Sequence, residues 1–392
     1  MLLAALPPGP FVQLAKLLGE EKTGKPPISL AVGDPSGKVP AFISEALAKH
    51  AADFGSYPSI AGTEEWRQAA AQWLNTRFGL EGAIDAEKNL LPLAGTREGL
   101  FSVLFPLVPL AKGGATPVVA MPNPFYQCYA AAALAAGAEP LYVPATEATG
   151  FLPDYAGLPK AMLGRIAAVY ICSPSNPEGA VASENYWKDL FALADRHDFT
   201  VLADECYADI YYGAPPSAAL PARLAQSGGF TRLLTFHSLS KRSGLPGLRS
   251  GLVAGCAAGI EKFRAFRNVA GPTVPAPLLA ASAAAWRDET HVAANRAAYA
   301  EKMAVAERLL GNHFVKPGGG FFLWLRTRNG AETALRLWRE QGVRVLPGAY
   351  LGREILPGKT QSNPGFSYIR AALVRDLSTI MIALERVREI LD

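Results

Sequence analysis

Between about residues 90 and 260, short continuous apolar runs alternate with stretches of helical periodicity. This alternation leaves the chain very few folds. The runs lie at 117–121, 140–143, 166–171, 200–203 and 232–236. Each is short and apolar without a break, as expected of strands covered on both faces. One intervening stretch, 183–197, has Ser183 placed to cap a helix and Trp187, Leu190, Phe191 and Ala194 on one helical face. The pattern predicts an α/β domain with a mostly parallel sheet flanked by helices.

The C-terminal part reads differently. An alanine-rich helix over 276–310 leads to Gly318-Gly319-Gly320 and an apolar strand at 321–325. A helix near 331–341, short strands at 343–345 and 367–370, and a final helix follow. This α+β order predicts a second, smaller domain. The run 28–32, followed by Gly33-Asp34-Pro35, reads as a strand entering a cleft. The expected division is 46–274 for the large domain and 1–45 with 275–392 for the small one.

Composition supports a core and narrows the partners. Half of the residues are hydrophobic and 18% are charged, too few charges for a disordered chain. The net charge of +4 comes without a basic tail or stripe, so no nucleic-acid partner is expected. The longest apolar run, 100–111, is interrupted by Pro106 and Pro109 and is too short to span a bilayer. The apolar N-terminus, 1–13, lacks a positive leading region and carries Pro7, Pro8 and Pro10, unlike a signal peptide. A cytoplasmic location with no membrane partner follows as an expectation. The four cysteines (Cys128, Cys172, Cys206, Cys256) are widely spaced, and the five histidines form no HExxH-like pair. Free thiols and no metal site are expected. His237 is as well explained by packing as by chemistry.

Ligands of open α/β sheets bind beyond the carboxyl ends of the strands. Asn176, Asp204 and Lys241 follow three successive apolar runs there. Each alone has an ordinary explanation as a turn, a helix cap or a solvated charge; together they favour one site. Lys241 stands among small residues in Ser238-Leu239-Ser240-Lys241, with Arg249 eight positions later. A lysine so placed can form an imine with an aldehyde, and an arginine can clasp a phosphate at two points. The pair suggests pyridoxal phosphate. Asp204 can hold the pyridine nitrogen protonated, while Asn176 and Tyr207 can bond the ring hydroxyl. Gly95-Thr96-Arg97 opens an apolar helical stretch and can present N–H groups to the phosphate. Tyr126 is the candidate to stack on the ring. No G-x-G-x-x-G follows a strand, which disfavours a dinucleotide enzyme.

Taken together these residues resemble the class I and II aminotransferases, fold type I enzymes that use pyridoxal phosphate, over nearly the whole chain. The resemblance implies that Lys241 links to the cofactor and acts as general base, and that Ser238, Ser240 and Arg249 belong to the phosphate-binding motif. It assigns Asp204 and Tyr207 to the ring, and Thr96 and Arg97 to the phosphate-side helix start. Asn176-Pro177-Glu178-Gly179 is similar to the family's Asn-Pro-Thr-Gly, with Glu178 replacing threonine. Arg370, assisted by the Gly33 backbone, matches the residue that grips the substrate α-carboxylate. Tyr57 matches a tyrosine that reaches the neighbouring subunit's phosphate, which implies a homodimer. Within the family, 122–126, 238–243 and 346–351 resemble the succinyldiaminopimelate aminotransferases of bacterial lysine synthesis. That implies amino transfer between glutamate/2-oxoglutarate and N-succinyl-LL-2,6-diaminopimelate/N-succinyl-2-amino-6-oxopimelate. Another class I aminotransferase, acting on aspartate or aromatic substrates, or a carbon–sulfur β-lyase would share the cofactor residues. A ligand-sensing module of the kind fused to transcription regulators would need a DNA-binding domain for which the chain has no room. On the sequence, Arg242 and Ser243 mark the subfamily and add little to the chemistry.

Overall fold

The computed structural model describes residues 6–35 and 37–392; the first five residues of the apolar N-terminal stretch lie outside it. Its seven-stranded sheet runs in the order Leu90–Leu93, Gly251–Gly255, Leu233–Ser238, Thr200–Asp204, Ile166–Cys172, Val118–Asn123, Glu139–Pro144. The last five are the five apolar runs of the sequence, and they pair in parallel. Gly251–Gly255 runs antiparallel to both of its neighbours. The architecture is α/β, as expected.

Helices cover both faces, which is why the strands lack polar alternation. One face buries Trp66, Trp187, Phe191 and Trp286, and the other buries Leu100, Tyr129 and Phe263. The helix Glu184–His197 shows how local sequence sets an element. Ser183 Oγ accepts from the Tyr186 N–H at 3.1 Å to start it, and Trp187, Leu190, Phe191 and Ala194 are buried.

A three-stranded antiparallel sheet forms the second unit, in the order Leu346–Pro347, Tyr368–Ala372, Phe322–Arg326. Met303, Leu325, Leu337, Ile369, Ile380 and Leu384 make its core. Of the expected strand 28–32, only Ile28–Ser29 pairs as a strand, parallel to Val343–Arg344.

One expectation is corrected. The helix over 276–310 is two helices, Ala276–Arg287 and Thr290–Leu310. Asp288 leaves helical geometry (φ −93°, ψ 120°), and its Oδ1 accepts from the His291 N–H at 2.9 Å, starting the second helix anew. Ala276–Arg287 packs in the large core, with Leu279, Ala281, Ala283, Ala285 and Trp286 beside Trp66 and Trp73. Ile43, from Ala41–Lys49, joins the same core. Small alanine side chains let the helix lie close to its neighbours. Among the described residues no helix is long and apolar enough to cross a membrane.

Candidate active site

The carboxyl ends of the parallel strands deliver the polar groups to one place. Lys241 lies in a four-residue helix, Leu239–Arg242, directly after Leu233–Ser238. Its Nζ donates to the Gly33 carbonyl at 2.7 Å and stands 5.3 Å from the centre of the Phe321 ring. Burial lowers its pKa, and the nearby Arg370 and Arg97 guanidiniums act in the same direction.

Arg370 comes from the central strand of the small sheet and is 4% exposed. Nη1 donates to Asn176 Oδ1 at 3.0 Å, Nη2 to the Ala31 carbonyl at 2.8 Å, and the guanidinium lies 4.3 Å from the Phe322 ring centre. Nε is buried with no hydrogen-bond partner among the described residues, and burial pulls the pKa down to about 10. A buried guanidinium without a carboxylate is electrostatically incomplete until an anion arrives. Ala31 and Gly33 are two residues apart in one segment, so its carbonyls hold both cations. A Cβ at Gly33 would meet Phe322 Cζ at 2.6 Å, which leaves room only for glycine.

Asp204 ends the Thr200–Asp204 strand, 4% exposed. Its Oδ2 accepts from the Tyr129 hydroxyl at 2.6 Å and its Oδ1 from the Cys206 N–H at 3.3 Å. Burial raises its pKa, opposed first by the Tyr129 hydrogen bond. Tyr129 itself stacks on Tyr170, ring centres 4.3 Å apart. No Lys, Arg or His among the described residues forms an ion pair with Asp204. A protonated pyridine nitrogen would supply that missing positive charge. Tyr207 is buried nearby, its ring edge-on to Phe321 and Phe322.

A third group gathers around Gly95, whose φ of +89° starts the helix Thr96–Ser102. Arg249 Nη2 donates to the Ala94 carbonyl at 3.3 Å, and a Cβ on Gly95 would collide with that guanidinium. Thr96 Cγ2 and the Thr96 backbone N lie beside Gly251. Ser238 Oγ accepts from the Ser240 N–H at 3.1 Å, and both serines are buried. Arg97 Nε donates to the Tyr126 hydroxyl, whose pKa burial pushes up to about 12. An amine, a carboxylate, a phosphate-sized cradle of N–H and guanidinium donors, and a flat aromatic are the set that pyridoxal phosphate requires. The donor set therefore fits the cofactor.

The structure thus brings together Lys241 with Gly33, Asn176 with Arg370, and Arg97 with Tyr126, and sets Arg249 against Ala94 beside Thr96. Tyr57 is the exception: it is fully exposed and takes no part in these contacts within one chain. Sequence reasoning missed Tyr129, Phe321, Phe322 and Ala31. Tyr129 closes the aromatic run that offered Tyr126 and could have been found from its place one helical turn further on.

The family model for aminotransferase class I and II matches residues 25–362. An LL-diaminopimelate aminotransferase from Dehalococcoides mccartyi is 32% identical, over 94% of this chain and 92% of its own length. An aminotransferase of known structure from Neisseria meningitidis is 37% identical, with a TM-score of 0.94 and full coverage of both chains. A probable N-succinyldiaminopimelate aminotransferase from Thermus thermophilus is 25% identical, with a TM-score of 0.84, covering 98% of this chain and 100% of that one.

Proposed function

The chain belongs to the class I and II aminotransferases, whose members depend on pyridoxal phosphate, and we propose that it exchanges an amino group between glutamate/2-oxoglutarate and the succinylated pair N-succinyl-LL-2,6-diaminopimelate/N-succinyl-2-amino-6-oxopimelate. The observation that carries the amino-acid reading is Arg370. It is a buried guanidinium with no carboxylate partner among the described residues, bonded to Asn176, in a site that also holds the half-buried Lys241.

Each residue then has a defined task. Arg370 and Asn176 bind the α-carboxylate and so fix the α-carbon relative to Lys241. The bound cofactor supplies an aldehyde and an electron-withdrawing ring that acidifies the substrate α-proton. Lys241, whose pKa burial lowers, removes that proton and carries it for redelivery. Asp204 holds the proton on the ring nitrogen, and Tyr129 keeps Asp204 in place. Tyr126 and Tyr207 would hold the cofactor ring, and Ser238, Ser240, Arg249 and Thr96 would hold its phosphate. Tyr57 serves the neighbouring subunit's site in a homodimer.

The succinyl specificity is supported by the resemblance at 122–126, 238–243 and 346–351 and by the likeness to the Thermus protein. A second reading, free LL-diaminopimelate, is favoured by the curated Dehalococcoides relative. Purified protein assayed with glutamate against both oxo acids separates them. Our reading expects kcat/KM for the succinylated acceptor to exceed that for the free one by at least about tenfold. A reversed ratio assigns the free diacid, and turnover only with oxaloacetate or aromatic oxo acids removes both.

A further inference from the structure

Lys241 occupies a helix too short to satisfy itself. In Leu239–Arg242 the Leu239 carbonyl accepts from the chain that follows, from the Ser243 N–H at 3.1 Å and the Leu245 N–H at 3.2 Å, and among the described residues it alone does so. The carbonyls at the end of such a helix need outside donors. One residue of another element supplies them: Asn295 Nδ2 donates to the Lys241 carbonyl at 3.1 Å and to the Arg242 carbonyl at 3.0 Å. Two acceptors at one spot require the amide nitrogen there, because the amide oxygen would be repelled.

Asn295 sits on Thr290–Leu310, whose far half enters the small-domain core through Met303, Ala306 and Leu310. One turn beyond it, Tyr299 stacks on Phe321, the ring beside Lys241 Nζ, with centres 5.1 Å apart. Positions i and i+4 share a helix face. That face therefore touches the lysine at its backbone and, through Phe321, at its amine.

Arg242 holds the other side. Its guanidinium lies 5.2 Å from the ring centres of both Trp73 and Trp286. It donates to the Ala285 carbonyl at 2.8 Å and to Glu289 Oε1 at 2.5 Å, just ahead of the Asn295 helix.

We propose that Asn295 is a positioning residue for Lys241, fixing the lysine backbone to the helix that joins the two domains so that its amine stays aligned with the substrate α-proton. The inference rests on Lys241 being the reactive amine. Small misplacements of a reacting group can lower rates by about a hundredfold.

The test compares the wild-type protein with Asn295→Ala, Asn295→Asp and Lys241→Ala. Asn295→Ala is expected to lower kcat about tenfold or more while KM for glutamate stays within about twofold, since Arg370 and Asn176 still hold the carboxylate. The cofactor-free variant should also develop the visible absorbance of bound pyridoxal phosphate about tenfold more slowly. Asn295→Asp should lose kcat near neutral pH and regain part of it in acid, where a protonated carboxyl can donate to one carbonyl again; a global packing defect would not do this. If Asn295→Ala fails to fold, Asn295→Asp alone decides. Wild-type kcat, loading rate and pH profile in the folded variants would overturn the proposal. If instead Lys241→Ala keeps its turnover, the assignment of Lys241 is what fails.

Discussion

In our proposal Arg370 is a residue whose burial is costly for stability and useful for function. Its guanidinium is buried beside Phe322 without an opposing carboxylate, so it favours an arriving carboxylate over the empty site. Arg370→Met should lower kcat/KM for glutamate by about a hundredfold, in line with losing about 3 kcal/mol of a buried charge pair. Its thermal midpoint should stay level or rise; a marked fall would show that the arginine is structural. Glu178 is a second residue-scale case. Burial pushes its carboxyl up to about 8 from 4.5, with Oε1 unpartnered and Oε2 accepting from Ser175 Oγ at 2.9 Å. The folded chain therefore keeps a proton that the unfolded chain releases, and stability falls as pH rises from about 4.5 to about 8. Glu205, raised to about 7, acts in the same direction, whereas His237, held down at about 3, acts oppositely and only below its ordinary 6.5. Between about pH 7 and 8, above the value reached by Glu205, Glu178 still contributes to the decline. Glu178→Gln should flatten the decline in thermal midpoint across that window, and an unchanged slope would contradict the assignment. Arg242 corrects the sequence reading at this scale. It adds more than a subfamily mark, because its bonds anchor the turn that carries Lys241.

At the scale of elements, the five parallel strands were legible because burial on both faces leaves an unbroken apolar run. Leu90–Leu93 and Gly251–Gly255 were not. The first contains Pro92, tolerated because this strand lies at the sheet edge, and the second begins and ends with glycine. Neither matches a strand signal, and only their pairing with each other and with Leu233–Ser238 makes them strands. The site residues just after the strands were legible for the same reason the strands were. Asn295 was not: an asparagine in an alanine-rich helix gives no hint of carbonyls 53 and 54 residues away. The helix start at Thr96 gives a prediction of its own. Gly95→Ala forces a Cβ into Arg249 at a φ of +89°. Affinity for pyridoxal phosphate should fall about tenfold or more, read by absorbance titration of cofactor-free protein, with about 1–2 kcal/mol lost in stability. Unaltered affinity would separate Arg249 from the phosphate.

For the whole molecule, the site is a product of convergence. The N-terminal segment supplies the Ala31 and Gly33 carbonyls, the large sheet supplies Asp204, Asn176 and Lys241, and the small sheet supplies Arg370. Tyr57, fully exposed on its own chain, is available to a second copy. If it completes the neighbouring site, mixing Tyr57→Ala with Lys241→Ala chains should produce mixed dimers with one intact site, and activity should exceed that of either variant alone. No recovery after subunit exchange would place Tyr57 outside the site. The central claim, that Lys241 moves a proton from an amino acid whose carboxylate Arg370 holds, is tested most directly by a single half-reaction. Cofactor-loaded protein is mixed with glutamate in the absence of any acceptor, and released 2-oxoglutarate is counted. The account predicts about one 2-oxoglutarate per chain for the wild type and none on the same timescale for Lys241→Ala. A stoichiometric burst from Lys241→Ala, or none from the wild type, would contradict it.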